Sequence, residues 1–375
     1  MLRFTGCCHF RQRLLLSTLS GKAIRIDDIR AQDQSPGLRD YEASLLRLME
    51  KLTNGCLVEI NETGTSLRYR PGIIICGSGL VHDCGSSRSI GYFLEVLVLL
   101  ALFAKRPLSI TLRGITNDHV DPSIDTWRTV SLPLLRRAAG LDEAAAGSLE
   151  LKVVRRGARP GGGGEVQLRV PLVRALPLVS MSDEGMVKRV RGIAYSMRVP
   201  PQNANRMVDA ARGVLNQLLA DVYIFTDAAA GPAAGNSPGY GITLVAETTS
   251  GCLISAEAAA TTGSKDAAGS AAGDEPLVVA EDIGRAAAQL LLDEVARGGV
   301  TDGTHQGLLL LLAALGPEEM NQVRLGPLTP YAVRTLRHIR DFLNVQFSMR
   351  TEQQSGTIFL SCIGAGLKNI NRKVT

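Results

Sequence analysis

The chain has 375 residues, of which 45% are hydrophobic and 21% are charged, and its net charge is +5. This length predicts two or three folding units, and the low aromatic content of 4% predicts an aliphatic core. The longest apolar run, Tyr92 to Ala104, contains Glu95 and is too short to cross a bilayer, which excludes a membrane protein. Seven cysteines without a C-x-x-C pair, and an N-terminus interrupted by arginines, predict a reduced intracellular protein without structural zinc.

The first part of the chain is predicted to form two helices, separated by a short strand and followed by a β-hairpin. The expected elements are a helix over 9–19, a strand over 23–29, a helix over 39–52 and strands over 56–60 and 66–69. The second helix has apolar residues at helical spacing, and the strand pair encloses a turn at Glu62-Thr63-Gly64-Thr65.

The same order of elements occurs twice more. The second copy has a helix over 89–105, a strand over 108–112, a helix over about 123–139 and strands over 149–154 and 165–170. We expect Pro133 to kink the second of these helices. The third copy has a strand over 322–325, a helix from Thr329-Pro330 to about Leu343 and strands over 345–350 and 356–361. The helix that precedes it lies over either 281–297 or 308–315.

These repeats predict an α/β (α+β) fold in which three units, each with two helices on a four-stranded sheet, form a large domain. A segment with its own strand-helix-strand pattern lies between the second and third units. We therefore expect a large domain over 1–182 and 277–375, with a small inserted α/β domain over 183–276. Two Ala/Gly/Ser-rich tracts of the insert, 228–236 and 258–274, are predicted to be mobile surface loops.

Three motifs carry residues used in catalysis or phosphate binding. The glycine-rich run 158–164 joins two strands and lacks a phosphate-loop frame, so a flexible hairpin tip is favoured over a phosphate cradle. His82-Asp83-Cys84 is interpreted as a structural turn, because adjacent residues of a strand point to opposite faces. His305 is interpreted as a cap or a satisfied polar pair. No metal site is predicted, because the histidines lack ligand spacing to one another.

A basic stripe is predicted on the last helix. Arg334, Arg337 and Arg340 recur at three-residue spacing, opposite the apolar face that contains Leu336 and Ile339. Such a stripe is suited to binding nucleic-acid phosphates, and it is equally typical of a solvated helix face with acidic partners elsewhere.

Motifs spread over more than 300 residues resemble the RNA 3′-terminal phosphate cyclase family, specifically its cyclase-like branch in eukaryotic ribosome biogenesis. The segments that carry the resemblance are Phe10-Arg11, Arg13-Leu14, Leu19-Ser20-Gly21-Lys22, Ile29-Arg30, Ser35-Pro36-Gly37-Leu38-Arg39-Asp40-Tyr41-Glu42-Ala43-Ser44, Thr53-Asn54-Gly55, Glu62-Thr63-Gly64-Thr65, His82-Asp83-Cys84, Arg88-Ser89-Ile90-Gly91-Tyr92-Phe93-Leu94-Glu95, Gly114-Ile115-Thr116-Asn117 and Gly326-Pro327-Leu328-Thr329-Pro330-Tyr331. The resemblance implies the tripled two-helix, four-strand unit with a small inserted domain.

The resemblance also implies a degenerate cyclase site made of Tyr331, His9 and Arg11. Cyclases transfer AMP through a histidine just before the last helix, and its place falls on Tyr331. A phenol is a poorer nucleophile than an imidazole at neutral pH. The cyclases' glycine-rich N-terminal run, which contains a carboxylate, is replaced by Gly6-Cys7-Cys8-His9-Phe10-Arg11. No cofactor and no cyclase activity are therefore expected.

The resemblance implies a non-cyclising assembly factor of the small-subunit processome, located in the nucleus and nucleolus. It would support early pre-rRNA cleavage and 18S rRNA maturation by binding a ribosome-assembly GTPase, alongside processome proteins and snoRNP. Pre-rRNA contact is expected at Arg337, His338 and Arg340. Because His338 replaces a carboxylate of the family, an endonuclease role there is uncertain, whereas phosphate binding would survive. The alternative is an active ATP-dependent cyclase that uses another histidine, His9 or His305.

Overall fold

The structure is a computed structural model that describes residues 1–141, 148–260 and 279–370. Its first repeat consists of β1 (Leu2–Thr5), α1 (Phe10–Ser20), β2 (Ile24–Asp27), α2 (Asp40–Leu52), β3 (Thr53–Asn54), β4 (Leu57–Ile60), β5 (Leu67–Arg70) and β6 (Ile73–Ile74). The four-stranded sheet has the order β1-β2-β5-β4, in which only β1 and β2 are parallel. The short strands β3 and β6 pair separately.

The second repeat has the same topology. Its elements are β7 (Leu80–Asp83), α3 (Ile90–Leu102), β8 (Leu108–Gly114), α4 (Ile124–Thr126), a π-helical turn (Trp127–Ser131), α5 (Leu132–Ala138), β9 (Glu150–Arg155) and β10 (Gly164–Val170). The sheet order β7-β8-β10-β9 repeats that of the first sheet. The irregularity expected at Pro133 takes the form of the π turn, which ends where the amide of Leu132 donates to the carbonyl of Trp127.

The third repeat is interrupted by the insert. It begins with β11 (Ser180–Met181), and the insert follows as β12 (Val187–Met197), α6 (Gln202–Leu215), β13 (Val222–Ala229), β14 (Gly239–Thr248), β15 (Leu253–Ala259) and α7 (Ala280–Arg297). The repeat then resumes with α8 (Gln306–Leu315), β16 (Met320–Leu325), α9 (Pro330–Leu343), β17 (Ser348–Thr351) and β18 (Ile358–Ile363). Its sheet order is β11-β16-β18-β17, and the insert sheet has the order β13-β12-β14-β15.

The predicted α/β fold class, with three repeated units and an inserted small domain, is confirmed. Helices of all three repeats meet in one apolar core, in which α1 packs against both α3 and α9. Each of the three repeat sheets packs one face into this core, through residues such as Ile24, Ile110 and Val323, and the residues that alternate with them are more exposed. Helix α3 is buried almost completely because it is apolar on every side.

The insert has its own core, and α7 belongs to it. Ile283, Ala287 and Leu291 of α7 pack with the apolar side chains of α6 and the insert sheet. The boundary predicted at 276 places this segment in the third repeat, and the packing of α7 corrects that boundary. Amphipathic spacing shows that a helix needs an apolar partner, but it does not identify which sheet supplies that partner.

The two insert tracts and the glycine-rich run also differ in part from expectation. The tract 228–236 is not a free loop, because Ala234 is buried and Asn236 bonds the glycine-rich run. The run itself is a hairpin tip between β9 and β10, as expected, and the amide of Gly161 donates to Ser237. Of the tract 258–274, residues 261–274 lie outside the described residues. Among described residues, no helix is long and apolar enough to span a membrane.

A buried ion cluster joins the second repeat to the insert. The guanidinium of Arg156 donates to Asp125 at 2.6 and 2.9 Å and to Asp227 of β13 at 2.7 Å. Arg156 and Asp125 are 3% and 0% exposed, whereas Asp227 remains partly open to water.

Candidate functional site

A cavity of about 540 Å³ opens between β1, the segment before α1 and helix α9. Its charged lining residues are five arginines and two carboxylates: Arg3, Arg13, Arg334, Arg337, Arg340, Asp27 and Asp341. We call it the arginine cavity. His9 of the expected degenerate cyclase site lines this cavity together with Arg337, His338 and Arg340, although more than 300 positions separate His9 from them in the sequence.

Helix α9 supplies the cationic rim of the cavity. Arg334, Arg337 and Arg340 are exposed, and Ala332 and Ile339 are buried on the opposite side. Thr329 caps the helix, because its hydroxyl accepts from the amide of Ala332, and Pro330 occupies the first helical position.

The three rim arginines differ in their pairing. Arg340 donates to Asp341 at 3.2 Å. In the part of the chain that the structure describes, Arg334 and Arg337 form no ion pair. These two guanidinium groups are therefore the rim cations that an anionic ligand can reach without displacing a carboxylate.

His338 lies on the buried side of α9 rather than beside Arg337 and Arg340. Its Nδ1–H donates to the side-chain carbonyl of Gln12 at 2.7 Å, and the residue is 5% exposed. Burial, together with the nearby charge of Arg13, lowers the pKa of His338 to about 3. The ring is therefore neutral at physiological pH and adds no cation to the arginine stripe.

Tyr331 is hydrogen-bonded to the carboxylate of Glu95, in the second repeat. Its hydroxyl donates to Glu95, and Arg11 binds the same carboxylate at 2.6 Å. Arg11 also binds Asp121 at 2.9 Å, and Arg88 binds Asp121 as well. Burial and the charge of Glu95 raise the pKa of Tyr331 well above its usual range. The phenol is protonated and already bonded, so it is a poor nucleophile.

His9 lies on the wall of the arginine cavity, beside Tyr331. It precedes α1 in the left-handed conformation, with φ 56°, and its ring centroid is 4.9 Å from that of Tyr331. Its Nδ1 is buried without a hydrogen-bond partner among the described residues. Burial, followed by the charge of Arg13, lowers the pKa of His9, so its imidazole is neutral.

His305 is closed off from solvent. It donates to Asp302 at 2.7 Å and lies 2.8 Å from the hydroxyl of Ser131. All three residues are about 2% exposed. Burial disfavours the charged imidazole, but Asp302 outweighs that effect and raises the pKa of His305. The arrangement has the connectivity of a catalytic triad, but no substrate can reach it.

Sequence reasoning missed Arg3, Arg13 and the Glu95–Asp121 carboxylates. They come from separate repeats, and no local spacing connects them. One signal was present for Glu95, which is the only charged residue in a long apolar run. Among the described residues, no cluster of three or more His, Cys, Asp or Glu side chains could hold a metal ion.

Comparison with known proteins places this geometry in context. The model of the RNA 3′-terminal phosphate cyclase family matches residues 2–349. A probable RNA 3′-terminal phosphate cyclase-like protein of Arabidopsis thaliana is 50% identical over 376 residues, covering 100% of this chain and 99% of the relative. The human RNA 3′-terminal phosphate cyclase-like protein is 48% identical, covering 99% and 97%. The rRNA processing protein rcl1 of Schizosaccharomyces pombe is 44% identical, covering 99% and 98%.

Proposed function

The chain belongs to the RNA 3′-terminal phosphate cyclase family, and from that premise we propose that it acts in rRNA processing as a non-cyclising RNA-binding factor. The similarity to a protein named for rRNA processing supports the process. The bonded phenol of Tyr331, at the position where the family resemblance puts the nucleophile, is the observation that carries the non-cyclising assignment.

The unpaired arginines of the cavity support the RNA-binding part of the proposal. Arginine binds phosphate through a planar fork of donors, and Arg334 and Arg337 present this fork on a rigid helix. Tyr331 is bonded to Glu95 and His338 is buried against Gln12, so neither ring is free to transfer protons, whereas the exposed guanidinium groups are suited to holding phosphates. This reasoning favours binding over an endonuclease role.

The finer proposal is an assembly factor of the small-subunit processome in the nucleolus. It would support early pre-rRNA cleavage and 18S rRNA maturation, bind a ribosome-assembly GTPase and work alongside processome proteins and snoRNP. These partners come from the family resemblance. The chemistry of the arginine cavity adds pre-rRNA as the ligand for α9.

Incubation with α-labelled ATP tests the non-cyclising assignment. We expect no covalent protein–AMP adduct, because Tyr331 is protonated and bonded to Glu95. An adduct that is lost in Tyr331→Phe would overturn the assignment. An adduct that is lost in His9→Ala would support the alternative of an active cyclase, for which His9 is the accessible neutral imidazole.

RNA titration of Arg334→Gln/Arg337→Gln tests the binding role. Each lost phosphate contact with single-stranded RNA lowers the dependence of log K on log salt by about 0.7, so we expect a loss of about 1.4 for the pair. The melting temperature and the pull-down of the GTPase should not change, because neither arginine holds α9 in the core. Unchanged RNA affinity with lost GTPase binding would reassign the stripe to a protein interface.

A further inference from the structure

We propose that single-stranded RNA continues from the arginine cavity across the solvent-facing side of the first sheet, along a track formed by Arg3, Arg25, Arg68 and Arg70. This inference rests on the proposed RNA-binding function and extends it to a surface that Arg334 and Arg337 do not reach. We call these four residues the sheet track.

Strand register sets the geometry of the track. Arg3 of β1 lies directly opposite Arg25 of β2, which in turn lies opposite Arg68 of β5. Arg70 projects from the same face two positions along β5. Three adjacent strands separate the ends of the arginine row by about 10 Å. At about 3.4 Å of axis per phosphate in a helical strand, that distance spans about three phosphates.

The row opposes folding, which indicates that it serves another purpose. Like charges directly opposite one another on neighbouring strands destabilise a sheet. The face offers only two carboxylates in partial compensation, because Asp27 binds Arg25 and Glu59 binds Arg68. Among the described residues Arg70 has no ion pair, and a polyanion on this face would remove the repulsion.

The arginines on the sheets of the other two repeats have different cross-strand neighbours. In the second sheet, Arg113 lies opposite Glu165 and Arg169 lies opposite Glu150. In the third sheet, Arg324 lies opposite Phe359 and bonds Glu352. Neither register brings two arginines together, so a row of adjacent arginines occurs only on the first sheet among the three.

That sheet also adjoins the arginine cavity. Arg3 and Asp27 line the cavity while belonging to the exposed face of the sheet. A strand of RNA that leaves Arg334 and Arg337 therefore meets Arg3 first, then Arg25 and Arg68. An acidic protein would match the charge as well, but the proposed rRNA role and the even spacing of the row favour RNA.

The test uses Arg68→Gln/Arg70→Gln in the full-length protein. These positions lie outside the cavity, and their loss leaves Asp27 paired with Arg25. We expect an intact fold, at least ~5-fold weaker binding of a fluorescein-labelled single-stranded RNA oligonucleotide, and a salt slope reduced by about 1.4. The matched control, Arg113→Gln/Arg169→Gln, removes the same charge from the second sheet and should change neither quantity.

The results separate this inference from the proposed function on which it rests. Unchanged binding by Arg68→Gln/Arg70→Gln, with weaker binding by Arg334→Gln/Arg337→Gln, would overturn the sheet track alone. Equal losses of RNA affinity in the test and control variants would show that net charge, rather than the sheet track, governs binding, and would overturn this inference. Absence of RNA binding by the unaltered protein would overturn both proposals. Normal RNA binding with loss of an acidic partner protein would assign the face to that protein instead.

Discussion

Three ring side chains in or beside the arginine cavity are uncharged at neutral pH, each for a local reason. His338 is buried against Gln12, Tyr331 is buried against Glu95, and His9 is half-buried near Arg13. The rim of the same cavity is cationic. The charges that could attract an anionic ligand therefore lie at the rim, and the rings beside it add none.

Burial of the neutral His338 should make the fold sensitive to acid. Its folded pKa of about 3 lies below the ordinary value of about 6.5. As the pH falls below about 6.5, the unfolded chain takes up the proton while the folded chain does not, so stability falls. Between pH 6.5 and 5 this group should cost up to about 2 kcal/mol, and His338→Gln should remove that part of the acid dependence.

Urea unfolding of both proteins at pH 7, 6 and 5 would measure this effect. His82, whose pKa burial lowers to about 4, contributes in the same direction and remains in both proteins. The control is His119→Gln, at an exposed loop position, which should keep the pH profile of the unaltered protein. Parallel profiles for His338→Gln and the unaltered chain would contradict the assignment.

For individual residues, the sequence predicted solvent exposure better than it predicted hydrogen-bond partners. The three-residue spacing of Arg334, Arg337 and Arg340 placed them together on a solvent-facing side, as observed. The same spacing could not show that His338 turns inward, because its partner Gln12 lies at the other end of the chain. Long-range pairs of this kind leave no local periodicity.

Among the elements, the segment of α4, the π turn and α5 contacts both the insert and the third repeat. Asp125 of α4 binds Arg156 beyond the end of β9, and Arg156 also binds Asp227 of β13. Ser131 of the π turn contacts His305 just before α8. A helix of the second repeat is thereby tied to the insert and to the third repeat by polar contacts in addition to apolar packing.

Breaking the Arg156 cluster should lower the free energy of unfolding, and a second substitution should restore most of it. Arg156→Leu leaves the fully buried Asp125 charge with only the longer pair to the half-exposed Arg128, at 3.6 Å, which should cost about 3 kcal/mol of unfolding free energy. Arg156→Leu/Asp125→Asn removes that charge and keeps a polar partner for Asn117. We expect the double variant to regain most of the loss in denaturant unfolding. A double variant as unstable as Arg156→Leu would show that packing, rather than charge, holds the joint.

For the whole molecule, the tripled arrangement was predictable because each repeat carries its own helical and strand periodicities. Which elements share a core was less predictable. Helix α7 joins the insert because Ile283 and Leu291 find their apolar neighbours there, beyond the segment 261–278 that separates α7 from β15 in the chain. Repetition reveals the units, whereas the contacts between them depend on surfaces that meet only in three dimensions.

The interruption of the third repeat sets an order of events during synthesis. Strand β11 pairs with β16, and Val179 bonds Asn321, which lies 142 positions later. At about 5–20 residues per second, a ribosome needs roughly 7–30 s to supply that partner. The first two repeats and the insert can therefore fold while β11 still lacks its neighbour. Helix α9 emerges later still, so the arginine cavity assembles last, and a nascent chain has no arginine cavity before its third repeat closes.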